Sequence, residues 1–534
     1  MNERASIRFE PAGRTVKVPV GSTLLEAARA AGLAIDAPCG GTGTCGSCRV
    51  SAAGALAPPT RNERELLGGA GLTAGKRLAC RARVGGDATV TIEGPSREVR
   101  VVTSAEQETL QIEDPAERGI ISVGTVVGAA VDIGTTTVAV QLLDLRTGEV
   151  LATVGDLNAQ RVFGADVLSR VAFAAGDRGA ELQRLIVSQL DELLGQALRV
   201  AGLSSDRLVE AAIVGNTAMT GLLLGADVSP LGEAPYGGAP TAEASLRGGE
   251  LGIASAPALR VVVLPGASAF IGSDIIAGVL ATRLAERVAP TLMIDLGTNG
   301  ELVLAAGGQL LAASTAAGPA LEGASVECGM RAEPGAIERV DLIGDRLALS
   351  VIGERAPSGI CGSGLLDLVA ALLDAGVIDN SGRFSDRVGS PFRDRFTSRD
   401  GVRTFVLDAP AGVVLTQKDV RQVQLAIGAV RTGIDLLLEG AGIGPSAIVN
   451  AVVAGGFGYH VRPESLVRLG LVPAVWHDRV TFGGNTALAG ARAALVNSAV
   501  RAEARDIAGV VRTLDLAAHP EFQQRFLVAL SFPG

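Results

Sequence analysis

Three cysteines set within ten residues constrain this chain more than any other feature. They lie in Pro38-Cys39-Gly40-Gly41-Thr42-Gly43-Thr44-Cys45-Gly46-Ser47-Cys48-Arg49, at C-x5-C-x2-C spacing, and a fourth follows in Arg77-Leu78-Ala79-Cys80. Four thiolates hold a [2Fe–2S] cluster when three are close and one is distant; the plant-type pattern is C-x4-C-x2-C, and the first gap here is one residue longer. Gly40, Gly41, Gly43 and Gly46 let the loop wrap closely and aim amide N–H groups at the sulfides. A disulfide pair and a zinc site are the alternatives. Zinc usually takes two short C-x2-C pairs, and this chain has one. Cys39, Cys45, Cys48 and Cys80 are therefore expected to bind iron and sulfide, and the chain to carry an electron.

A chain of 534 residues has room for several domains at about 150 residues each. With 48% hydrophobic and 19% charged residues it has the composition of a globular protein. The net charge of −9, without a basic run, argues against nucleic acid as a partner. No run of 18 apolar residues lacks a charge, and Met1-Asn2-Glu3-Arg4 does not open a signal peptide, so a cytoplasmic protein with no membrane partner is expected. Six cysteines in so long a chain are not a secreted disulfide framework.

Residues 6–94 read as one small α/β unit. Ile7 and Phe9 alternate with polar residues, Pro11-Ala12-Gly13 turns, and Thr15 to Val18 pairs back. Ser22 or Thr23 caps a short helix through Ala31; the cysteine loop, a strand from Arg49, a helix over 62–67 and a strand over 88–92 follow. This order resembles the β-grasp fold of [2Fe–2S] ferredoxins, and the longer first gap is nearer the adrenodoxin branch. A ferredoxin-like domain over 1–95 is expected. Residues 96–124 are charged and read as a linker or a small dimerising piece.

Beyond Gly128 the character changes. Ala129-Ala130-Val131-Asp132-Ile133-Gly134-Thr135-Thr136-Thr137 and Leu292-Met293-Ile294-Asp295-Leu296-Gly297-Thr298-Asn299-Gly300 superpose with Asp132 on Asp295, Gly134 on Gly297 and Thr135 on Thr298, all at an offset of 163. A third strand-like run follows each, Val150 to Thr153 and Gln309 to Ala312. Such duplication marks a structural unit used twice and predicts two lobes with a cleft between them. A tight turn presents N–H groups and Thr hydroxyls to phosphate oxygens, and an Asp ending each strand suits Mg²⁺ held through its waters. The strand Ile448 to Ala454 ends in Gly455-Gly456-Phe457-Gly458, where missing side chains let backbone lie against a nucleoside.

Together these resemble the phosphate-1, phosphate-2 and adenosine motifs of the actin, sugar-kinase and heat-shock ATPase superfamily. The resemblance implies a two-lobed ribonuclease-H-like ATPase over 125–534, with lobes of roughly 125–285 and 286–534. It assigns Asp132 and Asp295 to catalysis through Mg²⁺, and Gly134, Thr135, Thr136, Gly297, Thr298, Asn299, Gly455 and Gly456 to ATP. Glu301, Glu322 and Asp274 are candidates to orient the attacking water, with the choice open. Cys328, Cys361 and the histidines His460, His477 and His519 show no spacing that assigns them a role.

Further segments narrow the family: Asp156 to Arg170, Val214 to Met219, Ile271 to Ile275, Ala317 to Gly323, Gly359 to Gly364 and Gly483 to Thr486. With the N-terminal unit, the set resembles the reductive activators of corrinoid proteins. Longer members carry an extra domain for which this chain has no room, and one branch has C-terminal cysteine clusters absent here. The resemblance implies an ATP-dependent enzyme that returns Co(II) to Co(I) in a corrinoid protein of a methyltransferase system, using an external electron donor; a homodimer is left open. The alternatives are an activator of another metalloenzyme, a small-molecule kinase with a fused redox domain, and a chaperone-like ATPase.

Overall fold

Alternating apolar residues in the first strands give the N-terminal unit one buried sheet face. In the computed structural model, which describes residues 4–31, 33, 35, 43, 46, 48–92, 110–119, 125–164, 166–176, 178–238, 240–323, 325–387, 389, 391–399, 401–456 and 461–534, this unit is a five-stranded sheet. β1 (Arg4–Glu10), β2 (Arg14–Pro19), β3 (Arg49–Leu56), β4 (Lys76–Leu78) and β5 (Val84–Thr91) stand in the order β2-β1-β5-β3-β4. β1 and β2 form the expected hairpin, and β1 runs parallel to β5, the mixed pairing of a β-grasp sheet. Thr23, not Ser22, caps the helix Leu24–Ala30, in a capping box with Glu26. The next helix spans Arg61–Thr73 with a break at Gly68, longer than the expected 62–67. Ile7, Phe9, Leu24, Val50, Leu78 and Val90 form a core that belongs to this unit alone.

β6 (Val127–Ile133), β7 (Thr137–Asp144), β8 (Val150–Leu157), β9 (Leu208–Gly215), β10 (Ala244–Arg247) and β11 (Arg260–Val263) build the first-lobe sheet, in the order β10-β11-β9-β6-β7-β8. The second lobe begins with β12 (Thr291–Leu296), β13 (Gly300–Ala306) and β14 (Gln309–Thr315). Two three-stranded sheets follow: β15 (Ala336–Ile343), β16 (Arg346–Val351) and β17 (Gly359–Ile360), then β18 (Phe396–Arg399), β19 (Val402–Asp408) and β20 (Val413–Thr416). β21 (Asn450–Ala454), β22 (Val480–Gly484) and β23 (Arg512–Thr513) complete the large sheet, ordered β22-β21-β12-β13-β14-β23.

The duplication therefore runs deeper than the sequence match, since β11-β9-β6-β7-β8 corresponds strand for strand to β22-β21-β12-β13-β14. Each Asp-bearing strand, β6 or β12, is a nearly continuous apolar run flanked by one antiparallel and one parallel neighbour, as suits a strand buried on both faces. The copies differ at the turn. Ile133 pairs with Val138 across four residues, whereas Leu296 pairs with Gly300 across three. Past Thr135 and Thr298 the alignment slips by one residue, since Gly134 N–H bonds to Thr137 O but Gly297 N–H to Asn299 O.

Chain order and packing part company at the lobe boundary expected near 285. The helix Ser273–Ala281 packs Ile275, Ile276 and Val279 against Met293, Val303 and Ala312 of the second sheet. The helix Thr486–Val496 packs Leu488, Ala491 and Leu495 against Ala130, Ala212 and Val262 of the first. The two helices cross at glycine. A Cβ on Gly490 would lie 2.0 Å from the carbonyl oxygen of Ala277, and one on Gly278 would lie 3.0 Å from Thr486 Oγ1. Gly490→Ala pushes against backbone, which has no rotamer to yield, and should destabilise the protein by about 1–3 kcal/mol, the usual cost of overpacking. Denaturant unfolding checks this; a wild-type midpoint would show that the helices do not cross so closely.

Most of 96–124 lies outside the described residues, but 110–119 is a strap bound to the lobes. Glu113 N–H donates to Val496 O at 3.0 Å, Ser498 N–H to Glu113 Oε2 at 2.6 Å, and Asn497 Nδ2 to Gln111 O at 2.9 Å. Arg118 enters a buried ion-pair group with Glu210 and Arg501. No helix of the described residues is long and apolar enough to cross a membrane.

Candidate active site

The two duplicated turns meet face to face. Thr136 Oγ1 lies 3.4 Å from Thr298 Oγ1, and both hydroxyls donate to Glu322 Oε2, at 3.1 and 2.8 Å. Glu322 comes from the segment after β14, so one carboxylate links the turns of both lobes. Within the first turn Gly134 N–H bonds to Thr137 O at 2.9 Å, and a Cβ there would lie 2.8 Å from that same oxygen.

Three side chains brace the first turn from behind. Asn158 Nδ2 donates to Gly134 O at 2.8 Å and Asn216 Nδ2 to Thr135 Oγ1 at 2.9 Å. Arg170 is fully buried; it donates to Thr135 O through one nitrogen and to Gly164 O at 2.9 Å through Nε. Burial lowers its pKa to about 9. Each asparagine also caps a helix start with its Oδ1, Asn158 before Ala159–Val162 and Asn216 before Thr217–Leu223. Asn485 repeats the device, capping Thr486–Val496 while its Nδ2 donates to Asp132 Oδ2 at 2.9 Å.

Around the turns stand five half-buried carboxyl groups, Asp132, Asp274, Asp295, Glu301 and Glu322. Burial pushes Asp132 up to about 6 against the hydrogen bond from Asn485. Burial, then the charges of Asp132 and Glu322, push Asp295 up to about 7. Burial and the charges of Asp132 and Asp295 carry Asp274 to about 8. Glu301 is raised well above its ordinary value by burial and by Asp274 and Asp295, although Ser314 and Asn299 bond to it. Burial and the crowding of like charges hold these carboxyls toward their neutral form. Among the described residues no three such groups are placed to ligate one metal ion directly.

The third expected motif joins the same region. β21 runs parallel to β12 with Ala454 opposite Asp295. A Cβ on Gly455, at φ +103°, would lie 2.3 Å from Leu296 O, whereas one on Gly456 would meet open space. Glycine at 455 lets the two strand ends touch, and the backbone at Gly456 is left uncovered; Phe457, Gly458 and His460 lie outside the described residues.

Of the four cluster cysteines, Cys39 and Cys45 lie outside the described residues. Cys48 and Cys80 are buried, with sulfurs 3.3 Å apart, well beyond the about 2.05 Å of a disulfide. Ala79 N–H donates to Cys48 O at 2.8 Å, which clamps the two together. Glu63 braces the strand before Cys80: it takes Arg77 Nε at 2.8 Å and Leu78 N–H at 3.2 Å with no exposed surface. Two converging thiols held by backbone fit a cluster's ligand set. Cys328 and Cys361 stand apart from both sites; Val414 N–H donates to the Cys328 sulfur, and burial pushes the Cys361 thiol up, which disfavours its thiolate.

A cysteine-bearing β-grasp unit joined to two ribonuclease-H-like lobes, with paired phosphate-type turns between them, defines a ferredoxin-linked member of the actin-like ATPase class. Family models agree: a 2Fe-2S iron-sulfur cluster binding domain matches 7–85, a RACo middle region 127–287, and the C-terminal domain of RACo, the ASKHA domain, 289–534. The chain is 34% identical to the corrinoid activation enzyme RamQ of Eubacterium limosum, over 76% of this chain and 70% of that one. It is 27% identical to the [Co(II) methylated amine-specific corrinoid protein] reductase of Methanosarcina barkeri, over 76% and 77%. A solved reductive activator for corrinoid, iron-sulfur protein matches with a TM-score of 0.73 and 29% identity over 99% and 98% of the chains. The protein belongs to the family of reductive activators of corrinoid proteins.

Proposed function

We propose that this protein couples ATP hydrolysis between its lobes to one-electron reduction of a corrinoid protein, returning Co(II) to Co(I) for methyl transfer. The observation that carries this reading is the union in one chain of a cysteine-clamped β-grasp unit with two facing phosphate-type turns lined by carboxyls; the family supplies the acceptor.

In this reading residues 1–95 carry the [2Fe–2S] ligands Cys39, Cys45, Cys48 and Cys80, 96–124 connect, and 125–534 bind ATP. Gly134, Thr135 and Thr136 hold phosphate oxygens from one side and Gly297, Thr298 and Asn299 from the other, while Gly455 and Gly456 lie along the nucleoside. Asp132 and Asp295 take the waters of Mg²⁺, and of the three candidate carboxyls Glu322 orients the attacking water, a role supported by its bonds to the hydroxyls of both turns. When bound, the [2Fe–2S] group supplies one-electron chemistry; plant-type clusters sit at about −400 mV. Each further 100 mV uphill costs about 2.3 kcal/mol per electron. ATP offsets that cost only by binding one state of the complex more tightly than another.

The carboxyl cluster gives this reading a pH signature. In the folded chain Asp274 and Asp295, at about 8 and 7, keep protons that the unfolded chain loses near 3.8. Their contribution to stability is therefore full below about pH 4 and is lost as pH rises through 7 and 8. Mg²⁺–nucleotide needs the ionised form, so its affinity should rise between pH 6.5 and 8.5 with release of protons. Calorimetry in buffers of different ionisation enthalpy measures both; flat affinity without proton release would place the ion elsewhere. The function itself is tested by its products. Corrinoid protein should stimulate release of inorganic phosphate, and phosphate appearing on a metabolite instead would make the protein a kinase.

A further inference from the structure

Arg29 joins the cysteine-bearing unit to the first lobe, and it lands on the strip that braces the first phosphate turn. Its guanidinium donates to Val162 O, lies 4.7 Å from the Phe163 ring centroid, and faces the charge of Glu181. Val162 ends the short helix capped by Asn158, whose Nδ2 holds Gly134 O at 2.8 Å. Gly164 O takes Arg170 Nε at 2.9 Å, and another nitrogen of Arg170 holds Thr135 O. On the other side, Arg29 belongs to the helix Leu24–Ala30. The first N–H groups of that helix, on Leu24 and Leu25, donate to Ala82 O and Ala79 O, either side of Cys80, both at 2.9 Å. Hydrogen bonds and one cation–π contact thus connect Cys80 to the carbonyls of Gly134 and Thr135.

Arg29 Nε is buried without a hydrogen-bond partner among the described residues, and an unmatched buried donor is unfavourable. Its hold depends on how firmly Val162 to Gly164 are ordered. An anion on the N–H groups of a turn polarises its peptides and strengthens the bonds their carbonyls accept. Those bonds come from Asn158 and Arg170, which order the strip.

We infer that Arg29 is a positioning residue through which phosphate at the Gly134–Thr136 turn docks the cysteine-bearing unit on the first lobe, so that the nucleotide sets where the electron carrier sits. The inference rests on the reading of that turn as a phosphate site. Coupling between two sites is reciprocal and commonly about 5- to 150-fold.

The test uses the full chain with its cluster, and Mg²⁺ with the non-hydrolysable analogue AMPPNP. Small-angle scattering should show the wild type contracting when AMPPNP binds. Arg29→Ala should not contract and should bind AMPPNP about fivefold or more weakly, with Arg29→Lys between. A wild type whose shape ignores bound AMPPNP, an Arg29→Ala that contracts as the wild type does, or one with wild-type affinity would each overturn the inference. A wild type that does not bind AMPPNP would remove the phosphate-site reading, and the inference with it.

Discussion

Asp295→Ala should slow ATP hydrolysis about a hundredfold or more, the scale of losing one group that stabilises developing charge in a water-poor site. Asp295 is the last residue but one of β12, where Ala454 of β21 and Glu301 of β13 stand beside it, and it shapes the charge of its neighbours. Its removal would take one carboxyl from the proposed Mg²⁺ site and let Asp274 and Glu301 ionise more easily. The fold should survive, because Asp295 is half-buried and the β12 core is made by Leu292, Met293, Ile294 and Leu296. Absorption by the iron–sulfur unit should be unchanged, since that unit has its own core. Phosphate release at saturating Mg²⁺–ATP gives the answer; wild-type hydrolysis would break the correspondence between the two turns.

Cys80→Ser should remove the cluster's visible absorption and with it all reduction of cobalt, while ATP is still hydrolysed. Cys80 is 6% exposed, its sulfur is 3.3 Å from that of Cys48, and the segment is tied to the helix Leu24–Ala30 and to Glu63. A serine oxygen fits the same space, so the β-grasp unit should stay folded and the loss should be one of ligation. Iron content and visible spectra, read beside phosphate release, separate the two activities. A variant with full iron and a native spectrum would show that Cys80 is not a ligand.

Most of the frame was legible because its signals are local. An apolar run ending in Asp, a glycine turn with hydroxyls, and a second copy led to β6–β8 and β12–β14, and the alternation at Ile7 and Phe9 to the first hairpin. The missing parts are those that distance in the chain conceals. Helices Ser273–Ala281 and Thr486–Val496 look like ordinary apolar helices, and only packing shows that they bridge the lobes. The slip of one residue between the two turns is hidden because Asp, Gly and Thr all align before it occurs.

The site was half legible for the same reason. Asn158, Asn216 and Asn485 each cap a helix start, and the second use of each amide requires the fold. Arg170 resembles a surface arginine on a helix and is instead fully buried against the turn. Asn before a helix start in each of three glycine-flanked segments was the signal available. For the strap at 110–119 composition offered none, since its partners Val496, Asn497 and Ser498 lie almost four hundred residues away.

The measurement that tests the central claim most directly follows the cobalt absorption of a corrinoid protein with reductant, Mg²⁺ and ATP, using the wild type, Cys80→Ser and Asp295→Ala. Sustained conversion of Co(II) to Co(I) should occur with the wild type and ATP together. It should fail without ATP, without the cluster in Cys80→Ser, and without hydrolysis in Asp295→Ala. Sustained wild-type formation of Co(I) over many turnovers by an Asp295→Ala protein shown to lack ATPase activity would contradict the coupling of the two halves.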